Sequence, residues 1–414
     1  MTRYVASQTF AGAFDMGMKT AGFELVNKVE LGKVGFGTQN LENNRHILDS
    51  GWTAEAGSWE DWTPHDVPVV VGNPPCSGFS LRSAAHFRGV NSPINSCMWA
   101  FVAYAAKCDP EIVVMESVQA AFWNGRELML ALRDDLEKRT GNPWHITHVM
   151  HDAFHCGNVA IRKRYFMVLT REPFYLAPDG PRAAGPATLE ECIGDLVDQP
   201  ITWDDCPYVA PGPVRVRRPD GHVDGHDMRI PPYGQRVVDL ANEYAWEEGQ
   251  YTARVATNYL LEHGKFPPSL AIHADKVLAA PLQDNGELSG FGLNQAIRWR
   301  WQTPARVITG GSPGTVLHPR RNRLLTTREI ARIMGYPDDW RIDEKQNPAW
   351  WGKQVTVDAG RWAGEQIAAH LARTVDTGPA DQKDRIEMPG EREVLYERSR
   401  TPGFDSKKFE RIFG

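Results

Sequence analysis

At 414 residues the chain is long enough for one large core plus a second lobe, so two domains are expected. A hydrophobic content of 42% and a charged content of 24% are ordinary for a soluble globular protein. The net charge of −6 excludes a globally basic nucleic-acid binder, so any nucleic-acid partner must be held by a local basic surface.

The N-terminus is neither basic nor continuously apolar, and no run is long enough to cross a bilayer. "YVASQTF" at 4–10 reads as a first strand and "FDMGMKTAGF" at 14–23 as the helix after it. "LVNKVE" is a second strand ending in Glu30. "VPVVV" at 67–71 and "EIVVMES" at 111–117 are the unbroken apolar runs of strands buried on both faces. "SCMWAFVAYAAKC" between them has helical spacing, and "RYFMVLT" at 164–170 is a further strand. This alternation predicts an α/β domain with a doubly wound parallel sheet. From about 180 to 315 the sequence turns Pro/Gly-rich and weakly periodic, which reads as an inserted, loop-rich lobe. "LTTREIARIMGYPDDW" is helical up to Gly335, and "DAGRWAGEQIAAHLARTV" is a last amphipathic helix. The tail beyond residue 375 is charged and expected to be partly disordered.

Six cysteines (Cys76, Cys97, Cys108, Cys156, Cys192 and Cys206) contain no C-x-x-C pair, which argues against a zinc knuckle and a disulfide scaffold and fits a reducing cytoplasm. In sheets of this type ligands bind at the carboxyl ends of the strands. Four features fall there: "FAGAF" after the first strand, Glu30, Cys76 in "GNPPCSGFS", and Glu116. Glu30 suits a ribose diol, with a solvated strand-end carboxylate as the plainer alternative. Prolines stiffen the Cys76 turn, and Gly78 admits close approach. A thiolate attacking carbon needs an electrophile, and a nearby carboxylic acid supplies the proton that makes a ring electrophilic. Alone, Cys76 is better read as a structural thiol; with Glu116 at the neighbouring strand end it reads as a nucleophile.

"PPCSGFS" resembles the nucleophile motif of the DNA (cytosine-5) methyltransferases, and "MESV" resembles their Glu-Asn-Val motif. "HCGNVAIRKRYFMV" is similar to their Gln-x-Arg-x-Arg segment, with Arg162 and Arg164 in the arginine positions. "FAGAFDMGMKTAGF", "TLEECIGDL", "HPRRNRLLTTREIARIMGYPDDW" and "GKQVTVDAGRWAGEQI" resemble the remaining segments in family order. The resemblance implies the Rossmann-like fold of class I methyltransferases. It divides the chain into a catalytic domain at 1–180, a target-recognition domain at 181–315, a return to the catalytic domain at 316–375, and a tail at 376–414. It implies a base-flipping enzyme acting on double-stranded DNA, with an S-adenosyl-L-methionine donor and no metal. Cys76 would add to C6, Glu116 would hold N3 and the exocyclic amine, and Arg164 would contact the base oxygen; Arg162 joins them as a catalytic candidate. Phe10, Ala11, Gly12, Glu30, Ser58, Asp61, Pro75, Lys353 and Val355 are the implied donor-binding positions. A cytoplasmic monomer of a bacterial or phage-infected cell is expected.

Four departures stand out. Phe14 and Asp15 crowd the cofactor loop where many relatives carry Gly-Gly; Ser58 stands where an aspartate meets the adenine edge, with Asp61 nearby. Ser117 and Ala160 replace the Asn and Gln of two motifs, and Gly352-Lys353-Gln354-Val355 replaces Gly-Asn-Ser/Ala-Val. A lysine repels a cationic sulfonium unless the donor carries an added carboxylate, as carboxy-S-adenosyl-L-methionine does, and transfer would then give 5-carboxymethylcytosine. The alternative is a Lys353 that snorkels to solvent during ordinary methyl transfer. Basic clusters expected at DNA are "VRVRR" with Arg215, Arg217 and Arg218, "RWRW" with Arg298 and Arg300, and "HPRRNR" with Arg320. Rival readings are an RNA cytosine-C5 methyltransferase and a catalytically idle DNA-binding protein.

Overall fold

A computed structural model describes residues 1–31, 36–48, 51–80, 88–174, 182–198, 232–291, 295–310, 312–341, 348–372 and 384–387. Its centre is an eight-stranded sheet in the order β10-β6-β7-β5-β4-β1-β2-β3. The strands are β1 (Thr2–Ser7), β2 (Phe23–Leu31), β3 (Thr53–Gly57), β4 (Val69–Gly72), β5 (Ile112–Ser117), β6 (His145–Asp152), β7 (Lys163–Thr170) and β10 (Asp384–Glu387). Every residue of β4 and β5 is buried, as their unbroken apolar runs require of strands covered on both faces. β3, β2, β1, β4 and β5 run parallel, whereas β7 runs antiparallel to both β5 and β6. The sheet is therefore mixed rather than wholly parallel. Only residues 153–162 join β6 to β7, too short a link for the crossover a parallel pair needs.

Helices cover both faces. On one side lie α1 (Ala13–Thr20), α2 (Phe36–Asn43), α3 (Arg45–Leu48), α6 (Leu189–Ile193), α10 (Thr327–Ile333) and α11 (Val357–Leu371); on the other lie α4 (Ser96–Cys108) and α5 (Gln119–Thr140). α1 and α11 meet through glycine: a Cβ at Gly17 would fall 2.4 Å from the Arg361 backbone nitrogen. The late segment 357–371 is thereby locked onto the helix that follows the first strand, which brings distant parts of the sequence to one end of the sheet.

The inserted region is more helical than its sequence texture predicts. α7 (Pro232–Glu243), α8 (Thr252–His263) and α9 (Ala274–Ala279) enclose a separate apolar cluster of Val237, Leu240, Val255, Leu270 and Val277, together with the short pair β8 (Ile297–Arg298) and β9 (Val316–Leu317). The charged tail supplies β10, parallel to β6 at the sheet edge; the rest of it lies outside the described residues.

Candidate active site

The Cys76 turn is built by its glycines. At the end of β4, a Cβ on Gly72 would lie 2.4 Å from the Phe101 ring, so only glycine lets α4 pack here. The Asn73 amide then donates to Ser7 O at 3.1 Å, and Phe79 N closes the turn on Cys76 O at 3.0 Å. A Cβ on Gly78 would come within 2.4 Å of Asn95 Oδ1, so the turn rests directly on the segment before α4. Phe79 anchors the other side, with its ring against Gly125 where α5 departs from helical geometry. These supports leave Cys76 half-buried.

Glu116 sits one strand away near the end of β5, with 1% of its surface exposed. Its Oε1 pairs with Arg164 Nε at 2.9 Å, and its Oε2 accepts from the Asn73 side chain. Burial raises the Glu116 carboxyl to about 7, against the opposing pull of Arg164, Arg162 and Asn73. Burial likewise pushes the Cys76 thiol up, and Arg164 pulls it down. Here a carboxylic acid that is protonated or ionised near neutrality stands beside a thiol and a fixed cation, an arrangement suited to protonating a ring while sulfur attacks it.

Arg162 has a different task from the one expected of it. It is 1% exposed, and its guanidinium donates to Ile308 O, to Gly352 O at 3.0 Å and to Gln354 O. Those carbonyls engage its two terminal nitrogens, so Arg162 ties its own strand end to the 308 and 352–354 segments, while its charge still acts on Glu116 and Cys76.

Around the first strand end the backbone is strained. Gln8 and Phe10 have φ of 58° and 50°, costly for residues with a Cβ, while Gly12 takes its φ of 94° without that cost. Gln8, Phe10, Glu30 and Pro75 line one cleft, which joins three of the expected donor-binding positions. Ala11 is buried, and its carbonyl accepts from Asn40. Glu30 is 2% exposed; burial raises its carboxyl, Lys28 opposes that, and its Oε2 has no hydrogen-bond partner among the described residues. Ser58 and Asp61 lie just beyond β3, the strand beside β2, and both are exposed. The Ser58 hydroxyl bonds Glu60.

Lys353 takes the solvent-facing place that was the alternative for it, and the inward place falls to Gln354. Lys353 is exposed, while Gln354 and Val355 are fully buried. Gln354 Oε1 accepts from Ala13 N at 3.3 Å and from Tyr336 OH at 3.0 Å, which caps the start of α1. Sequence reasoning missed Asn73, Lys28 and Gln354. Their signals were an amide beside the Pro-Pro turn, a lysine inside an apolar strand, and an amide where relatives carry a small residue.

The expected DNA contacts divide. Arg215, Arg217 and Arg218 lie outside the described residues. Arg298 is 5% exposed and is fixed by His318 O at 2.8 Å, Arg321 O at 3.1 Å and Asn322 Oδ1 at 2.5 Å, so it holds the lobe together instead of facing DNA. Arg300 is exposed, as is Arg320, which stands 3.7 Å from Glu248 at a cleft of about 570 Å³. Among the described residues no cluster suits a metal ion, and no helix is long and apolar enough to cross a membrane.

Residues 9–368 match the family model for C-5 cytosine-specific DNA methylases. The chain is 21% identical over 373 residues to the type II methyltransferase M.NgoPII of Neisseria gonorrhoeae, covering 88% of this chain and 94% of that protein. It is 23% identical over 335 residues to M.MthTI of Methanothermobacter thermautotrophicus, covering 80% and 85%. In fold it is similar to a prophage-encoded E. coli protein described as a DNA modification methyltransferase, with a TM-score of 0.54 at 14% identity over 90% of this chain and 100% of that one.

Proposed function

Because the chain belongs to the C-5 cytosine-specific DNA methylase family, we propose that it methylates C5 of a cytosine flipped out of double-stranded DNA, with Cys76 as nucleophile and Glu116 as acid. The observation that carries this reading is the convergence of Cys76, Glu116 and Arg164 at adjacent strand ends, with Glu116 raised to about 7.

Cys76 Sγ forms a bond to C6 as Glu116 delivers its proton to N3, which places an electron pair on C5. Arg164 keeps the carboxyl oriented through its 2.9 Å contact. Asn73 holds the second carboxyl oxygen. The electron pair at C5 would take a methyl group whose bond to the donor's sulfonium sulfur breaks and leaves a neutral thioether; the C5 proton leaves to a base, the Sγ–C6 bond breaks with its pair on sulfur, and N3 returns its proton to Glu116. S-adenosyl-L-methionine, the donor of this family, supplies an electrophilic methyl group when bound. Glu30 at the cleft with Gln8, Phe10 and Pro75 suits the ribose of such a donor, since its Oε2, buried with no hydrogen-bond partner among the described residues, is what a ribose hydroxyl satisfies. The helical lobe at 232–317 serves target recognition, with Arg300 on its accessible surface and Arg320 exposed just beyond its last strand.

Methyl rather than carboxymethyl transfer is the better reading. The carboxylated donor was suggested by a lysine inside the site, and Lys353 is exposed while the neutral Gln354 points inward.

Duplex DNA containing 5-fluorocytosine tests the chemistry, because fluorine cannot leave as a proton and the Cys76 adduct persists. The proposal predicts a covalent complex on duplex DNA that is absent in Cys76→Ala. An adduct on transfer RNA alone would make this an RNA enzyme, and DNA binding without any adduct would make it an idle binder.

A further inference from the structure

The reaction gives no role to Lys28, yet this lysine is buried against Glu30 and the Phe10 carbonyl, two of the residues that line the donor cleft. Its side chain is 0% exposed, between Asp15 at 3.4 Å and Glu30 at 3.6 Å, which are 0% and 3% exposed. Nζ also donates to Thr9 Oγ1 at 2.6 Å and to Phe10 O at 3.4 Å. A buried ammonium is costly unless paired, and here it closes the strained 8–12 loop onto β2.

Two carboxylates share this one cation. Asp15 is enclosed from the other side by the Thr9 hydroxyl at 2.5 Å and the Tyr4 hydroxyl at 3.3 Å. The carboxylate that crowds the cofactor loop is thus accommodated in the interior, with Lys28 as its counter-charge. Glu30 is held unevenly: Oε1 faces Lys28, while Oε2, on a residue that lines the cleft, is buried with no hydrogen-bond partner among the described residues. Two carboxyl groups to one amine give the cluster, with all three ionised, one excess negative charge, the polarity that favours hydroxyl donors and a cationic sulfonium.

We infer that Lys28 is a positioning residue for donor binding, neutralising Asp15 so that Glu30 can stay ionised with one oxygen free for the ligand. This inference rests on the reading of Glu30 as the ribose contact. The groups facing Glu30 are Lys28 on its own strand, Asp15 from α1 and the Thr38 hydroxyl from α2. Without Lys28, Asp15 and burial both disfavour Glu30 ionisation, so donor affinity should rise with pH over a higher range than in the parent protein.

The test is calorimetric titration of the DNA-free protein with S-adenosylhomocysteine between about pH 6 and pH 9. Lys28→Met should weaken binding about 10- to 100-fold near neutrality, the worth of one hydrogen bond to a charged group, and recover as pH rises. Adding Asp15→Asn to Lys28→Met removes the repelling carboxylate, so affinity should be partly restored and the rise moved back to lower pH. This double variant also serves if the single one fails to fold. Parent-like binding by Lys28→Met, or a loss that is equal at every pH and not relieved by Asp15→Asn, would overturn the inference. If Glu30→Gln binds like the parent, the ribose reading itself fails, independently of either Lys28 variant.

Discussion

Replacing Glu116 with glutamine should cost activity and increase stability, and pH separates the two effects. Burial is the largest influence on this carboxyl and holds it at about 7 rather than 4.5. A carboxyl that is less acidic folded than unfolded destabilises the fold when ionised. That cost is absent below about 4.5, grows up to about 7 and is complete above it. A gap of about 2.5 units at about 1.4 kcal/mol each makes the cost about 3 kcal/mol. Glutamine has no charge to bury, so Glu116→Gln should gain up to about 3 kcal/mol at pH 8, with the gain shrinking towards pH 5. Its amide cannot protonate the ring, so transfer should fall about 10²- to 10⁴-fold. Thermal melts at both pH values, paired with a methyl-transfer assay, measure the two effects. A variant less stable at pH 8, or one whose difference from the parent is the same at both pH values, would refute the reasoning.

Gly78→Ala should destabilise by about 1–3 kcal/mol and abolish trapping, because its Cβ would fall 2.4 Å from Asn95 Oδ1 and 2.9 Å from Ser92 Cβ. Thermal melts and 5-fluorocytosine adduct yield report the two losses. Lys353→Ala should leave the dissociation constant for S-adenosylmethionine unchanged in calorimetry, since the side chain is exposed; a marked change in donor preference would return this residue to the site. Arg298→Met should lower the melting temperature by leaving His318 O, Arg321 O and Asn322 Oδ1 without their donor. Arg320→Ala should leave the melt in place and reduce the salt dependence of DNA binding by about one ion.

Much of the catalytic end was legible because its determinants are local. Unbroken apolar runs mark β4 and β5, and Pro-Pro with Gly78 marks the turn, so Cys76 and Glu116 fall at neighbouring strand ends. The direction of β7 was not legible, since it depends on the shortness of the 153–162 link rather than on the strand's own residues. The helices of the inserted lobe were hidden by the Pro- and Gly-rich stretches that flank them. Partner choice was the least visible layer. Arginine reads as surface, yet Arg162 and Arg298 are spent on carbonyls supplied mostly by residues far along the chain. Whether Lys353 or Gln354 faces inward is set by the turn of 348–353 and its seat against Thr309. The Asp15 that looked like crowding is matched by Lys28, a pairing only the folded loop creates.

Methyl transfer to cytosine is tested most directly by nucleoside mass spectrometry of duplex DNA after incubation with the pure protein and S-adenosylmethionine or its carboxylated form in separate reactions. The expected product is 5-methylcytosine from the ordinary donor, lost in Cys76→Ala. No modified cytosine from either donor on DNA of varied sequence, or 5-carboxymethylcytosine as the main product, would contradict it.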